Sequence, residues 1–352
     1  MTTPRYRYGI IGTGRPHGSP GATGFGMAYP HMHGFQATGR VDLVAIADIR
    51  EDNARLFLEK HESNARFYTD YHEMLAKEDL DLVSVCTWPH LHAEMAISAA
   101  EANVKGILCE KPMALTWGDA KRMKAAADAN SVLLTFDHQR RFLEPFQTAR
   151  RLADEGAIGD LVRLEAMCGD LSDWGSHWLD MLFFFNGDRP AVWVIGQIDS
   201  RVERKVFGAS TENQAISHFK FENDVRGLLV TGFEADIGCA LRMIGAEGVI
   251  EIHWSFPFLR VRGKGDSEMR SIETKEGLHD HIAWDRACAD LVRALDEPGH
   301  KPLLSADNAI RSTEITFATY ESSRRRGRID LPLQTEDSAL LAMLADGSIG
   351  PR

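Results

Sequence analysis

Across the first 136 residues, short apolar runs alternate with stretches of helical period, and few folds accommodate that rhythm. Tyr8–Ile11, Leu43–Ala47, Leu82–Cys86, Gly106–Cys109 and Val132–Phe136 are apolar almost throughout, as strands buried on both faces are. Between them Glu51–His61, His90–Asn103 and Thr116–Asn130 read as helices. Alternating strand and helix units imply right-handed crossovers and a parallel sheet covered on both sides. An α/β, doubly wound parallel domain is therefore expected over residues 1–145.

From about residue 146 the rhythm changes. Asn223-Asp224 and Gly245–Gly248 are hairpin signals between strand-like segments, and hairpins need no crossover helices. Residues 146–335 are expected to form an α+β domain with a mainly antiparallel, open sheet. Two helices, at about Asp280–Leu295 and Ala306–Arg326, close it, and residues 336–352 form a C-terminal tail. A length of 352 residues suits two domains, at about 150 residues each.

Composition narrows the function. Hydrophobic residues make up 44% and charged residues 26%, ordinary globular usage that excludes a disordered or collagen-like chain. The densest apolar patch, Met181–Phe185, is far short of the roughly 18–20 residues of a membrane span. A net charge of −11 argues against nucleic acid and anionic membrane surfaces as partners. Cys86, Cys109, Cys168, Cys239 and Cys288 are odd in number, widely spaced and free of any CxxC. Reduced thiols in a cytoplasmic protein are the expectation, and Met1–Arg7 leaves no room for a signal peptide before the first strand.

Gly12-Thr13-Gly14 follows the first strand, where a dinucleotide fold makes its phosphate turn. The motif does not continue at once. Arg15-Pro16-His17 follows, then a glycine-rich stretch through Gly18, Gly21, Gly24 and Gly26, read as an insertion of about ten residues. Asp48 ends the second strand 22 residues after Gly26 but 34 after Gly14, and the ribose-binding acid is expected about 20 residues beyond the glycine turn. Gly12 and Gly14 are thus assigned the turn, and Gly24–Gly26 the helix start that faces a pyrophosphate. Asp48 binds the ribose hydroxyls and repels a 2′-phosphate, which favours NAD; Arg50 keeps NADP open.

Glu110-Lys111-Pro112 stands at the carboxyl end of the fifth strand, where such sheets bind ligands. The lysine ammonium suits a substrate oxygen that gains negative charge. In Asp173-Trp-Gly-Ser-His177-Trp-Leu-Asp180, the spacings of four and three put both acids and the histidine along one helix face. A histidine flanked by carboxylates is a candidate general base. Arg140, Trp174, Trp178 and Asp180 are candidate substrate-wall residues, because sugar C–H faces stack on aromatic rings and hydroxyls seek charged partners. His92 is read as a neighbour of the nicotinamide or a helix-start cap. No metal is expected: His31-Met-His33 lies in a helix, where i and i+2 diverge, and no ligand set completes a zinc site.

The glycine turn, Thr87-Trp-Pro-His-Leu-His92, Glu110-Lys111-Pro112 and Asp173…His177 together resemble the glucose-fructose oxidoreductase / inositol dehydrogenase (Gfo/Idh/MocA) family. The resemblance spans residues 5 to about 333. It implies a Rossmann domain, a C-terminal α/β domain whose open sheet forms a dimer face, and NAD(P)-dependent oxidation of a sugar or cyclitol hydroxyl by a homodimer or homotetramer. It makes Lys111, Asp173 and His177 catalytic, and sets Thr87, Trp88, His92, Glu110 and Lys111 beside the cofactor with Gly12, Thr13, Gly14, Gly24, Gly26 and Asp48. The long glycine loop and Trp88 depart from the usual family pattern. Two other functions stay open: a glycoside hydrolase or lyase that oxidises its sugar transiently would use the same lysine and histidine, whereas a nucleotide-binding regulatory protein would be expected to have lost Lys111, Asp173 and His177, all of which are present.

Overall fold

In a computed structural model, which describes residues 5–232 and 235–350, the chain forms two compact units. The first runs to residue 115 and takes in residues 119–139 and 281–309; the second comprises residues 116–118 and 140–280 and everything from 310 on. The ends of the tail, residues 351–352, and of the N-terminus, residues 1–4, lie outside the described residues.

The first unit is built on β1 (Tyr6–Ile11), α1 (Ala28–Ala37), β2 (Val41–Ala47), α2 (Glu51–Lys60), β3 (Arg66–Tyr68), α3 (Tyr71–Lys77), β4 (Leu82–Val85), α4 (His92–Glu101), β5 (Gly106–Cys109), α5 (Trp117–Ala129) and β6 (Leu133–Phe136). Its six strands are all parallel, in the order β3-β2-β1-β4-β5-β6. The winding reverses between β1 and β4, so their carboxyl ends flank the crevice where such sheets bind ligands. The apolar runs do form its core: Tyr8, Ile10, Ile46, Leu82 and Leu108 are fully buried with Phe35 and Phe57 from the helices.

Two features escaped the sequence pattern. β3 is three residues long and only half-buried, too short and polar to show a period. α3 follows directly, capped by Asp70, whose carboxylate accepts from the His72 N–H. The Ile282–Asp296 helix, expected to close the second domain, belongs to the first unit. It packs on α1 so closely that a Cβ on Gly34 would lie 2.7 Å from the Trp284 carbonyl oxygen. It also buries Cys288, Leu291 and Val292 in that core. An amphipathic period shows that a helix has an apolar face, not which sheet receives it.

The second unit holds a nine-stranded sheet in the order Arg270–Ile272, Leu259–Arg262, Val249–Ile252, Leu241–Gly245, Leu161–Cys168, Arg226–Thr231, Gln214–Phe221, Ala191–Asp199, Ile329–Asp330. Only the Leu161–Cys168 and Arg226–Thr231 pair is parallel; every other ladder is antiparallel, as the hairpin signals imply. Residues along Gln214–Phe221 alternate exposed and buried, the signature of a sheet covered on one face. The covered face meets the Ala306–Arg325 helix, where Thr319 bonds Ser217 at 2.7 Å and Ser322 accepts from the Gly196 N–H at 2.8 Å. Two further helices, α6 (Glu144–Asp154) and α7 (Trp174–Phe185), complete the scaffold relevant to the site. No helix among the described residues is long and apolar enough to cross a membrane.

Candidate active site

Gly12, Thr13 and Gly14 leave β1 as a tight turn, with φ of +85° at Gly12 and +55° at Gly14. A Cβ on Gly12 would lie 2.6 Å from the Thr87 methyl group. Only glycine lets the turn pass this close to the chain leaving β4. Asp48 turns back to the same place: its Oδ2 accepts from the Thr13 N–H at 2.9 Å, the Thr13 hydroxyl at 2.8 Å and the Gly14 N–H at 3.0 Å. Its Oδ1 accepts from the Arg50 N–H at 2.9 Å. The acid expected at the ribose therefore also ties the glycine turn to the end of β2, a role that spacing alone does not reveal.

The glycine-rich insertion closes on itself. Gly26 returns against Arg15 so tightly that a Cβ there would fall 2.1 Å from the Arg15 carbonyl oxygen, and its φ is +65°. This return brings Gly26 beside Gly14, so the insertion loops out from the turn and back to it. The helix itself begins slightly later than expected, at Ala28. No side chain caps it and its first turn holds no acid, which leaves that terminus suited to an anion. Gly24 lies within the loop that leads there.

Beyond β5, three of the expected cofactor neighbours separate by role. Lys111 is partly exposed, and its peptide bond to Pro112 is cis. Glu110 turns inward instead. It is 5% exposed, and its Oε1 lies 3.0 Å from Nε2 of His31 on α1, with Asp137 Oδ2 3.7 Å from the same nitrogen. The other side of the imidazole meets the Ser84 hydroxyl at 3.1 Å, and the Trp284 indole donates to Asp137 at 2.7 Å. Burial opposes charge on His31, but Cys86, Asp137 and Glu110 outweigh it and hold the imidazole well above its ordinary range. Burial, then the charge of Asp137, pushes the Glu110 carboxyl up to about 7.

The donor atoms of His31, Glu110 and Asp137 all fall within 4.8 Å of one another. The 3.0 Å contact is nonetheless a hydrogen-bond length, shorter than the separation of two ligands on a zinc ion with bonds of about 2.0–2.2 Å. The Glu110 side chain is thus a buried hydrogen-bond partner of His31. His33 diverges from His31, as the helical spacing requires, and pairs with Asp285 at 2.9 Å.

His92 is likewise committed to the protein. It is fully buried at the start of α4, with Nδ1 2.8 Å from the Pro112 carbonyl oxygen and Nε2 3.1 Å from that of Thr87. Burial lowers its pKa to about 4, so the ring is neutral, and its single N–H suits the shorter contact. His92 thus donates to the turn after β5 from the first residue of α4, with its other nitrogen against the turn after β4. Thr87 follows β4 directly, and Trp88 next to it is 41% exposed, edge-on to His90.

In the second unit, Asp173, Trp174, His177 and Trp178 enter α7 together. The cap is a residue the sequence reading did not single out. Asp170 Oδ1 accepts from the Asp173 N–H at 2.7 Å and the Trp174 N–H at 3.2 Å, and its Oδ2 meets Arg204 at 3.1 Å. Its only sequence signal was position, an Asx residue three before the first helical residues. Asp173 and His177 are buried at this helix start, at 6% and 7% exposure. Burial, with Asp173 and Glu212 nearby, raises the Asp170 carboxyl to about 6.

A raised acid stabilises the fold fully only below its unfolded value, and the contribution fades as pH rises through the folded value. Asp170→Asn should therefore gain on the parent protein by about 2–3 kcal/mol between pH 4 and pH 7. Urea unfolding at the two pH values measures it; a constant difference would contradict a raised Asp170.

Of the expected substrate wall, three members gather. Trp254 packs against Trp174 and Trp178 with ring centroids 5.7 and 5.3 Å away. The Arg140 guanidinium sits 5.3 Å over the Trp178 ring and donates to His279 at 2.9 Å. Trp174 and Trp254 are about 40% exposed, whereas Trp178 is buried. Asp180 does not join them. It is 1% exposed and takes a two-pronged ion pair from the fully buried Arg141, at 2.7 and 2.8 Å. Its lone pairs hold the fold and are not offered to a substrate.

Residues 6–138 match the GFO_IDH_MocA family model, an oxidoreductase family with an NAD-binding Rossmann fold. The chain is 23% identical over 351 residues to D-apiose dehydrogenase of Paraburkholderia graminis, a match that covers 91% of each protein. It is 26% identical to myo-inositol 2-dehydrogenase of Thermotoga maritima, over 69% of this chain and 74% of that protein. Among solved structures, levoglucosan dehydrogenase in complex with NADH and L-sorbose superposes with a TM-score of 0.80 at 20% identity, covering 94% of this chain and all of that one.

Proposed function

The first unit is that of a Gfo/Idh/MocA oxidoreductase that binds NAD, and from that premise we propose that the protein is an NAD-dependent dehydrogenase of a sugar, sugar derivative or cyclitol. The observation that carries this reading is the seating of Lys111. Glu110, before it, is anchored in the core by His31, and Pro112, after it, is anchored by His92. The backbone of Lys111 is thereby held at the carboxyl end of β5, in a sheet whose glycine turn and Asp48 fit a dinucleotide. The relatives that act on apiose and inositol support a carbohydrate or polyol as substrate.

The roles follow from chemistry residue by residue. His177 takes the proton of the substrate hydroxyl as general base. Lys111 stabilises the negative charge that develops on that oxygen, an effect strengthened where water is excluded. Asp173 orients the reacting groups, Trp174 and Arg140 receive the rest of the substrate, and the buried Trp178 ring supports the Arg140 guanidinium from behind. Bound NAD supplies the nicotinamide ring that accepts hydride from the same carbon. The uncapped start of α1 would hold its phosphates, with Thr13 and Gly14, tied to Asp48, shaping the turn beside them, and Asp48 would meet its adenosine ribose.

On the open face of the large sheet, Ile195 and Ile216 are nearly half exposed, which supports a homodimer or homotetramer built on that face. A screen of cyclitols, hexoses, pentoses and sugar acids for NADH formation tests the reading, repeated with NADP. At least one of these is expected to reduce NAD. Cleavage of an aryl glycoside without net NADH would replace dehydrogenation by hydrolysis through transient oxidation.

A further inference from the structure

Next to the ribose-binding acid stands an arrangement that the proposed reaction does not use. Arg15, the first residue of the glycine-rich insertion, reaches back to the start of α2. Its Nη2 donates to Asp52 Oδ2 at 2.6 Å, its Nε to the Asn53 side-chain oxygen at 3.0 Å, and its Nη1 to the Pro20 carbonyl oxygen at 3.0 Å. Arg50, two residues beyond Asp48, donates to the same Asp52 through Nε at 3.2 Å and Nη2 at 3.0 Å. One carboxylate thus engages two guanidiniums. Arg50 and Arg15 hold it at about 2, ionised throughout the physiological range.

In dinucleotide folds the 2′-phosphate of NADP is met by an arginine near the ribose-binding acid. Arg50 is placed for that, and the insertion adds a second guanidinium at the same corner. Both already face an anion that belongs to the protein. Asp48, Asp52, Arg15 and Arg50 sum to zero charge, so the corner presents no net attraction to a phosphate dianion.

We propose that Asp52 is a cofactor-selecting residue: it occupies Arg15 and Arg50 as an internal substitute for the 2′-phosphate and so withholds them from NADP. Asp48 repels the phosphate directly, while Asp52 removes the partners that would compensate. The insertion is then more than a surface loop. Its neck at Gly26 and its tether through Arg15 deliver a cation to the adenosine end, and Asp52 both docks and neutralises it. The inference rests on NAD binding by the first unit, and not on the identity of the substrate.

Fluorescence titration with NADH and with NADPH tests it on the full-length protein without any substrate. The parent protein should bind NADH more tightly. Asp52→Asn keeps the side-chain shape but removes the charge, and should tighten NADPH by about three- to tenfold while NADH changes less than twofold, since exposed ion pairs are weak competitors and charge-assisted phosphate contacts are strong. Adding Arg15→Gln and Arg50→Gln to Asp52→Asn should abolish the gain. An unchanged NADPH dissociation constant in Asp52→Asn, or equal tightening of both nucleotides, would overturn the proposal. Failure of the parent protein to bind NADH would instead overturn the cofactor reading on which it stands.

Discussion

His177→Ala is expected to lower kcat by ~10²–10⁴, the usual contribution of a positioned general base, with the NADH dissociation constant essentially unchanged. The imidazole lies at the start of α7, and the cap of that helix is Asp170, not His177. Truncation should therefore leave the local fold in place and remove chemistry selectively. The loss should be largest at neutral pH and shrink at alkaline pH, where hydroxide can take over proton removal. A parallel Lys111→Met variant, which keeps most of the side-chain volume but not the charge, should also lose turnover while melting near the parent temperature. If His177→Ala turns over its substrate at close to the parent rate, the histidine is not the base.

Arg141→Ala is expected to destabilise the second unit by about 3–5 kcal/mol, the cost of leaving a buried charge without its partner. The guanidinium is fully buried and answers two carboxylates, Asp180 at 2.7 and 2.8 Å and Asp188 at 2.8 and 3.0 Å. It lies 5.4 Å over the Phe184 ring, so truncation also opens a cavity beside α7. The paired variant Arg141→Met with Asp180→Leu should recover most of the loss, because an apolar pair of similar volume needs no desolvation. Urea unfolding of the parent protein and the two variants measures this. A single variant within about 1 kcal/mol of the parent protein would show that Asp180 is not held as a buried ion.

These two sites differ in how far the sequence revealed them. Lys111 and His177 stood out because a strand end and a helix face are local properties, legible from periods of two and 3.6. Asp180 shared the helix face of His177 and looked equivalent to it. What separates them is Arg141, 39 residues earlier in the chain, and no local pattern encodes such a pairing. Glu110 and His92 repeat the lesson: both lie beside residues assigned to chemistry, and both point to buried partners on other elements.

The alternation of strands and helices in the first unit apart from β3 and α3, the glycine turn and the antiparallel hairpins of the second sheet were set by the linear chain, because each depends on contacts or periods within a few residues. Folding in three dimensions decided the rest: that the Ile282–Asp296 helix rejoins the first unit, that Asp170 caps α7, that His31 charges a core shared with Glu110 and Asp137, and that Asp52 meets two arginines. Those outcomes depend on which distant groups arrive to neutralise a charge or cover an apolar face. Burial makes an unmatched ion or donor costly, so the choice among partners is settled only where the elements come together.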